Sequence, residues 1–516
     1  MGLPTEMERI AIGWKILKKK QVLISIFLIA VLVLSSGSMV AYAKSNTVVV
    51  NPTGVDDTAN IQGALNSCTS PNPPCTVQLT AGTYIISSQI AVTGFQGRFV
   101  GMGQGVTKIE AKGGMPSPTV TPYWAQLPGP TDPWPALFTF VDGSFTMSGM
   151  TVTDTSSMPT MGWTDITGGC SETPCTALSE AIGVTGLKAF AAFDHITVVG
   201  AAGDYGGYNI AEGVHIEGVL LPSGWTDPFL DTIMLTGTFS ITNSVFTDTS
   251  GVAVNFLVNS NVVISGNTIS SPEINSFFDG IDFIDISNTN VLICGNQISP
   301  LIGTAVRALQ SIVKPGLLPS TITITGNNFL VSEGANGANL QDADMGYWGT
   351  PSTLKAVVSG NDIQSSGAFG PSWGVSAVAT IDLKSILVSL NTISGGGNPG
   401  IYILGGPGTV IGNTITGADT GVWVDDASGV HVAGNLIKNS VDYGIAVTSM
   451  NNAGAPSWVV TPSSNNFIVG NFVHGTVGGT TSTGYDLYWD QATGSVNNHW
   501  CGNFYHTSSP TVLPGC

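Results

Sequence analysis

Few side chains in this chain could do acid, base or electrostatic chemistry, because only 9% of its residues are charged. Three of them draw attention together: Asp279, Asp282 and Arg307. Beyond residue 43 the sequence holds only two arginines, Arg98 and Arg307. A rare guanidinium beside carboxylates could neutralise an anionic group or stabilise charge that develops in a transition state. Two carboxylates at one place could divide the roles of acid and base. Asp285, Asp342 and Asp344 lie close by in the chain. A second group, Tyr402 and Trp423 followed by Asp425 and Asp426, offers flat rings with polar edges and carboxylates that could accept from hydroxyls. His215 and Glu217, two apart on one run, form a weaker acid/base candidate.

These residues are far apart in number, so the elements that could bring them together decide the matter. Between Val262 and His474 one phrase keeps returning: VVISGNTIS, VLICGNQIS, ITITGNNFL, AVVSGNDIQ, ILVSLNTIS, GTVIGNTIT, VHVAGNLIK and NFIVGNFVH. Each is an alternating apolar run closed by an asparagine, at Asn267, Asn296, Asn327, Asn361, Asn391, Asn413, Asn435 and Asn471. Self-similarity of this kind marks a repeat architecture, and the uneven intervals mark a fixed unit with loops of different length. Alternation at period two predicts strands, and Gly before Asn predicts a turn. Asn tolerates the left-handed backbone of a sharp bend, and its amide can bond an identical amide one coil away.

A second run precedes each asparagine phrase: GVAVNFLV, GIDFIDIS, GVSAVATI, GIYILGGP, GVWVDDAS and GIAVTSMN. Two or three short strands per unit, in register and without helical period, describe the coils of a parallel β-helix with rungs about 4.8 Å apart. Residues flanked by two inward apolar neighbours point outward. Stacking the second runs therefore predicts an outward column of His215, Ala253, Asp282, Arg307, Asn339, Ser376, Tyr402, Trp423 and Ala446. Asp282 and Arg307 become neighbours on consecutive rungs, as do Tyr402 and Trp423.

At this point the chain resembles the right-handed parallel β-helix, or pectin-lyase-like, superfamily. GVDDTANIQGAL, TVQLTAGTYIISSQIAV and GRFVGMGQGVTKIEA, in that order, are similar to the usual opening of such domains, and the resemblance covers roughly Asn51 to Cys516. It implies an all-β solenoid with a short N-terminal capping helix, here from Asp56 to about Leu65 with Ile61, Ala64 and Leu65 on one side. It also implies extracellular polysaccharide as the partner. FFDGIDFIDISNTNVLICGNQI looks like the polygalacturonase segment in which Asp precedes Gly-Ile-Asp, with Asp279 in that place. The family's following Gly-Asp-Asp is replaced by LIGTAV at Leu301 to Val306, and its Gly-His-Gly and Arg-x-Lys are absent. So is the Asp-Pro-His of alginate epimerases.

The functional reading is a protein that binds polysaccharide and could cleave or modify it as a lyase or glycoside hydrolase. Asp279, Asp282 and Arg307 are its candidate catalytic residues, and Tyr402, Trp423 and Asp425 its candidate substrate-binding residues. The carboxylates could instead hold Ca²⁺ for β-elimination. The alternative is a non-catalytic cell-surface solenoid, structural or adhesin-like, in which Asp282 and Arg307 are a plain cross-rung ion pair.

Composition sets the remaining bounds. A net charge of −18, with five of the 15 basic residues before Gln21, disfavours nucleic acid and anionic membrane surfaces as partners. Lys18 to Lys20, the apolar run Val22 to Leu34 and Ala41-Tyr42-Ala43 predict a signal peptide or N-terminal membrane anchor over residues 1–43. Residues 44–516 then form one secreted or cell-surface β-helix domain, read as a monomer, with membrane contact only through the leader if it stays attached. Seven cysteines fit an oxidising compartment. Cys68 with Cys75, Cys170 with Cys175, and Cys501 with Cys516 are close enough in sequence to form local disulfides, which leaves a structural free thiol at Cys294. No spacing resembles a zinc site. Long loops rich in aromatics, carrying Trp124, Trp134, Trp163, Tyr205 and Trp225, interrupt the first half and could wall a cleft.

Overall fold

Alternation of apolar and polar residues leaves each run able to bury one face only, and the chain satisfies this by coiling so that every inward face meets the others. A computed structural model describes residues 46–69, 74–111, 136–154, 180–200, 212–220, 232–270, 279–299, 304–310, 318–331, 336–342, 353–365, 376–395, 399–449, 462–478, 484–491 and 495–515. Within it 38 strands join one sheet system whose named pairings are all parallel, which is the parallel β-helix expected. Residues Thr47–Cys516 form one compact unit. The proposed leader and the aromatic loops lie outside the described residues.

Each coil contributes a strand to each of three walls. The wall that carries the candidate residues is built from β1 (Glu212–Glu217), β2 (Ser250–Val258), β3 (Ile281–Ser287), β4 (Thr304–Gln310), β5 (Asn336–Asp342), β6 (Val378–Ile381), β7 (Ile401–Leu404), β8 (Thr420–Asp425), β9 (Tyr443–Thr448) and β10 (Tyr485–Trp489). The second wall carries the alternating part of each asparagine phrase, as in Asn261–Ser265 and Asn290–Cys294. The third carries the short strand after the asparagine, as in Thr268–Ser270 and Gln297–Ser299. Inward Val, Ile, Leu and Phe from all three walls fill a single continuous core.

The asparagines form the expected ladder. From Asn267 through Asn296, Asn327, Asn361, Asn391, Asn413, Asn435 and Asn471 to Asn503, each Nδ2 donates to the next Oδ1 at 2.9–3.0 Å. Each side chain also satisfies backbone: the Oδ1 of Asn327 accepts from the Asn296 amide, and its Nδ2 donates to the Ile293 carbonyl. Such closure matters because an unpaired polar group in this buried corner would cost about 1–3 kcal/mol. One expectation fails. The left-handed residue is not the asparagine but the one before it, Gly266, Gly295, Gly326, Gly360, Gly412, Gly434 and Gly470, with Leu390 taking φ 58° in the fifth phrase. The amide must face inward to reach both neighbours, so the bend is made one residue earlier.

The capping helix α1 runs Thr58–Asn66 and buries Thr58, Ile61, Ala64 and Leu65. Asp57 is its N-cap, and Asp56 just before it accepts from the Thr58 amide and hydroxyl at 3.0 and 2.6 Å. Asp57 is buried and ties the cap to the neighbouring strand through the amides of Thr53 and Ile85.

Of the three expected disulfides, the one between Cys68 and Cys75 is present and closes the same end, with Cα atoms 5.4 Å apart. Cys170 and Cys175, expected to pair with each other, both lie outside the described residues. Cys501 is disulfide-bonded, while Cys516 lies outside the described residues. Cys294 is a free thiol on the second wall, and burial raises its pKa.

Candidate functional site

The outward column predicted from the second runs is nearly as drawn. Cα partners run His215, Ala253, Asp282, Arg307 and Asn339 on β1 to β5, then Tyr402, Trp423 and Ala446 on β7 to β9. The position on β6 belongs to Ala379, not Ser376. Thr380 takes an inward place there and satisfies its hydroxyl on the Tyr402 carbonyl at 3.3 Å, so the strand's pattern is less apolar than its neighbours'. The column continues past Ala446 to Tyr488 on β10.

Arg307 on β4 reaches back one rung and gathers both carboxylates. Its Nε donates to Asp282 Oδ1 at 2.9 Å and its Nη2 to Asp282 Oδ2 at 2.8 Å, a two-point grip that a planar guanidinium suits. The same Nε lies 2.9 Å from Asp279 Oδ2. Asp279 sits just before β3, and its Oδ1 accepts from the Thr304 amide at 2.7 Å. The side chains are 35% (Arg307), 12% (Asp279) and 16% (Asp282) exposed, so the cluster is shielded without being sealed. Burial, against the pull of Arg307 and with the push of Asp282, raises Asp279 to about 6. Two carboxyls on one guanidinium, one of them raised, is the asymmetry an acid/base pair requires.

Asp285 does not join them. It occupies a left-handed position, φ 51°, near the end of β3 and is buried. Asp344 and the side chain of Asp342 lie outside the described residues.

Three rungs further, about 14 Å at the usual strand spacing, the aromatic group is more buried than an open platform. Tyr402 is only 7% exposed, and its hydroxyl donates to the fully buried Asp425 at 3.1 Å. Thr448, one rung beyond Asp425, donates to its other oxygen at 2.6 Å and accepts from the Trp423 indole N–H at 2.7 Å. Asp425 is therefore the anchor that fixes two rings rather than a hydroxyl acceptor facing outward. The Tyr402 and Trp423 centroids stand 5.2 Å apart, tilted by 57°, and Trp423 is the half-buried ring that meets the surface. Burial and the charge on Asp425 keep the Tyr402 phenol protonated far above its ordinary range. Tyr443 and Tyr488 stack beyond them at 4.4 Å.

Asp426 lies in the left-handed turn that ends β8, φ 44°. Burial, then the charges of Asp425 and Asp490, push its carboxyl up to about 7. At the other end of the wall His215 and Glu217 are buried, their Nε2 and Oε2 3.7 Å apart, with the Asn255 amide nitrogen 3.0 Å from the imidazole. Sequence reasoning missed Asn255, Thr448 and Asp490. The signal was present for the first two, since each sits at the alternate outward position of its run.

Among the described residues no group of three or more His, Cys, Asp or Glu side chains is placed to hold a metal ion. The oxygens of Asp279 and Asp282 that could serve Ca²⁺ are engaged by Arg307 and the Thr304 amide. This donor set does not suit the cation.

Comparison with known proteins agrees on the architecture. The family model described as a right handed beta helix region matches residues 317–498. No curated protein sequence matches the chain. Among solved structures, PfbA, a surface adhesin of Streptococcus pneumoniae, is similar at TM-score 0.50 and 14% identity, covering 77% of this chain and 90% of its own. A family 28 exopolygalacturonase of Yersinia enterocolitica is similar at TM-score 0.46 and 12% identity, covering 92% and 79%. The A-module of a mannuronan C-5 epimerase from Azotobacter vinelandii is similar at TM-score 0.39 and 15% identity, covering 89% and 92%. At 14% identity what the chain shares with PfbA is the fold.

Proposed function

For a right-handed parallel β-helix with this wall, we propose that the protein is a secreted or cell-surface polysaccharide-binding protein that cleaves its ligand at Asp279, Asp282 and Arg307. The observation that carries the reading is the alignment on one wall of a two-carboxylate, one-guanidinium cluster with a braced pair of aromatic rings. Rungs about 4.8 Å apart resemble the length of a sugar residue, so a chain lying along the axis meets one outward residue per ring. The Cys68–Cys75 disulfide supports an oxidising compartment.

The chemistry follows from the asymmetry of the carboxyls. Asp279, held protonated by burial up to about pH 6, gives its proton to the glycosidic oxygen as the bond to the anomeric carbon breaks. Asp282 attacks that carbon to form a glycosyl ester, and water, giving its proton to Asp279, then cleaves the ester. Oxygens of both carboxyls lie 2.9 Å from one Nε, too close for direct attack by water, which needs about 6.5–9.5 Å between the carboxyls. Arg307 orients Asp282 through its two hydrogen bonds and faces the charge that builds between the carboxyls. Trp423, fixed through Thr448, supplies an apolar face for a sugar ring.

The second reading is a non-catalytic adhesin-like rod, and one observation favours it: every oxygen of Asp282 already meets Arg307, as in a purely structural ion pair. Purified protein incubated with pectate, alginate and neutral glycans separates the two. Release of reducing ends supports cleavage. Binding without release, in wild type and in Asp279→Asn alike, supports the rod.

A further inference from the structure

The wall proposed above as the polysaccharide site carries more negative charge than its one cation can offset, and we infer that its ligand is a neutral, hydroxyl-rich polysaccharide rather than a polyuronate. This rests on the reading of that wall as the binding site.

On strands β1 to β10 Arg307 is the only Lys or Arg, against the half-buried Asp282 and the buried Glu217, Asp285, Asp425 and Asp486. Among the described residues the lysines of the same coils lie off this wall: Lys355 on Leu354–Ser359 of the second, Lys384 just before Ser385–Ser389 of the second, and Lys438 on Leu436–Lys438 of the third. The Nε–Nη2 edge of Arg307, the two-point face a uronate would grip, is already engaged. Its Nε is shared by Asp279 and Asp282 and its Nη2 is held by Asp282. One positive charge therefore faces two carboxyls before any ligand arrives.

The aromatic end is acidic in the same way. Trp423 and Tyr402 are braced on Asp425, and Asp426 and Asp490 stand close enough that their mutual repulsion is felt in the raised carboxyl of Asp426. A ligand carboxylate laid on Trp423 would enter that field with the same sign, a repulsion that acts as selection against it. A sugar hydroxyl arrives as a donor, and carboxylate oxygens are acceptors only. The inference also constrains the reaction. β-Elimination depends on a carboxylate next to the carbon that loses its proton, which a neutral sugar lacks, so cleavage must be hydrolytic and its products saturated.

The test is affinity electrophoresis of the full-length protein at pH 7.5 through gels holding soluble neutral glucan, neutral mannan, pectate or alginate, at low and high salt. Wild type is expected to be retarded by a neutral gel, equally at both salts, and not by pectate or alginate. Trp423→Ala should weaken the retardation at least tenfold, and Trp423→Phe, which keeps a ring, should restore most of it. Retardation of wild type by pectate or alginate that Trp423→Ala abolishes would overturn the neutral assignment while leaving the site intact. Absence of retardation by any glycan, or full retardation of Trp423→Ala, would overturn both.

Discussion

Asp282 and Arg307, 25 positions apart in the chain, are Cα partners on adjacent strands and are joined by two parallel hydrogen bonds of 2.9 and 2.8 Å. Only a coil that returns to the same wall each turn could place them so. Their coupling should be measurable. Fully buried pairs cost about 3–5 kcal/mol when one partner is removed. With Arg307 35% exposed, a double-mutant cycle of Asp282→Ala and Arg307→Ala in urea unfolding should give a coupling of about 1–2 kcal/mol. A coupling indistinguishable from zero would mean that solvent has already dissolved the pair.

The asparagine ladder should be worth more in its middle than at its end. Asn327→Ala strands the Asn296 amide, its Nδ2 and the Ile293 carbonyl, and should lower stability by about 3 kcal/mol. Asn503→Ala, at the partly buried last step, should cost about 1 kcal/mol. Equal losses at the two positions would contradict a ladder whose value lies in burial.

Leu390 holds the bend that glycine holds in most other phrases, at φ 58°. A branched side chain in the left-handed region costs about 1–2 kcal/mol. Leu390→Gly should therefore raise the unfolding midpoint, with a gain of about 1 kcal/mol after the lost packing of a half-buried leucine. A fall in stability would show that Leu390 is kept for its contacts.

Stability should depend on pH in a stated direction. The carboxyl of Asp426 titrates near 7 in the folded protein against 3.8 as the ordinary value. The folded state therefore holds the proton more tightly than the unfolded chain. Its contribution is complete below about pH 4 and is lost as pH rises through about 7. Asp279, near 6, adds a loss of the same sign over a narrower window. Melting temperature should fall between pH 5 and 8. Asp426→Asn should flatten the upper part of that fall, because Asn also accepts a left-handed backbone. A melting temperature that rises over the same interval in wild type would contradict both assignments.

Much of the wall was legible because period-two alternation states which side chains face out, and Val, Ile or Phe on both sides of Asp282, Tyr402 and Trp423 made that unambiguous. Where an inward place is filled by a polar residue the signal fails, as at Thr380, and the column is misread as Ser376 instead of Ala379. The burial of Tyr402 and Asp425 was not legible at all. It depends on Thr448, which belongs to the next coil and donates to Asp425 only once the coils are stacked. The conformation of the asparagines was misjudged for a similar reason: the two-sided demand on each amide is a property of the stack, whereas propensity describes one turn.

The central claim is that Asp279, Asp282 and Arg307 cleave a polysaccharide lying on this wall. The most direct measurement is the rate of reducing-end release from the retarding polysaccharide, with wild type, Asp279→Asn, Asp282→Asn and Arg307→Ala compared at pH 5.5. The account predicts saturated products and losses of at least a hundredfold in both Asp variants with binding retained, since general acid and base catalysis contributes about 10²–10⁴ and Asp282→Asn removes the attacking carboxylate. Arg307→Ala should lose at least tenfold. Full rate in either Asp279→Asn or Asp282→Asn would contradict it.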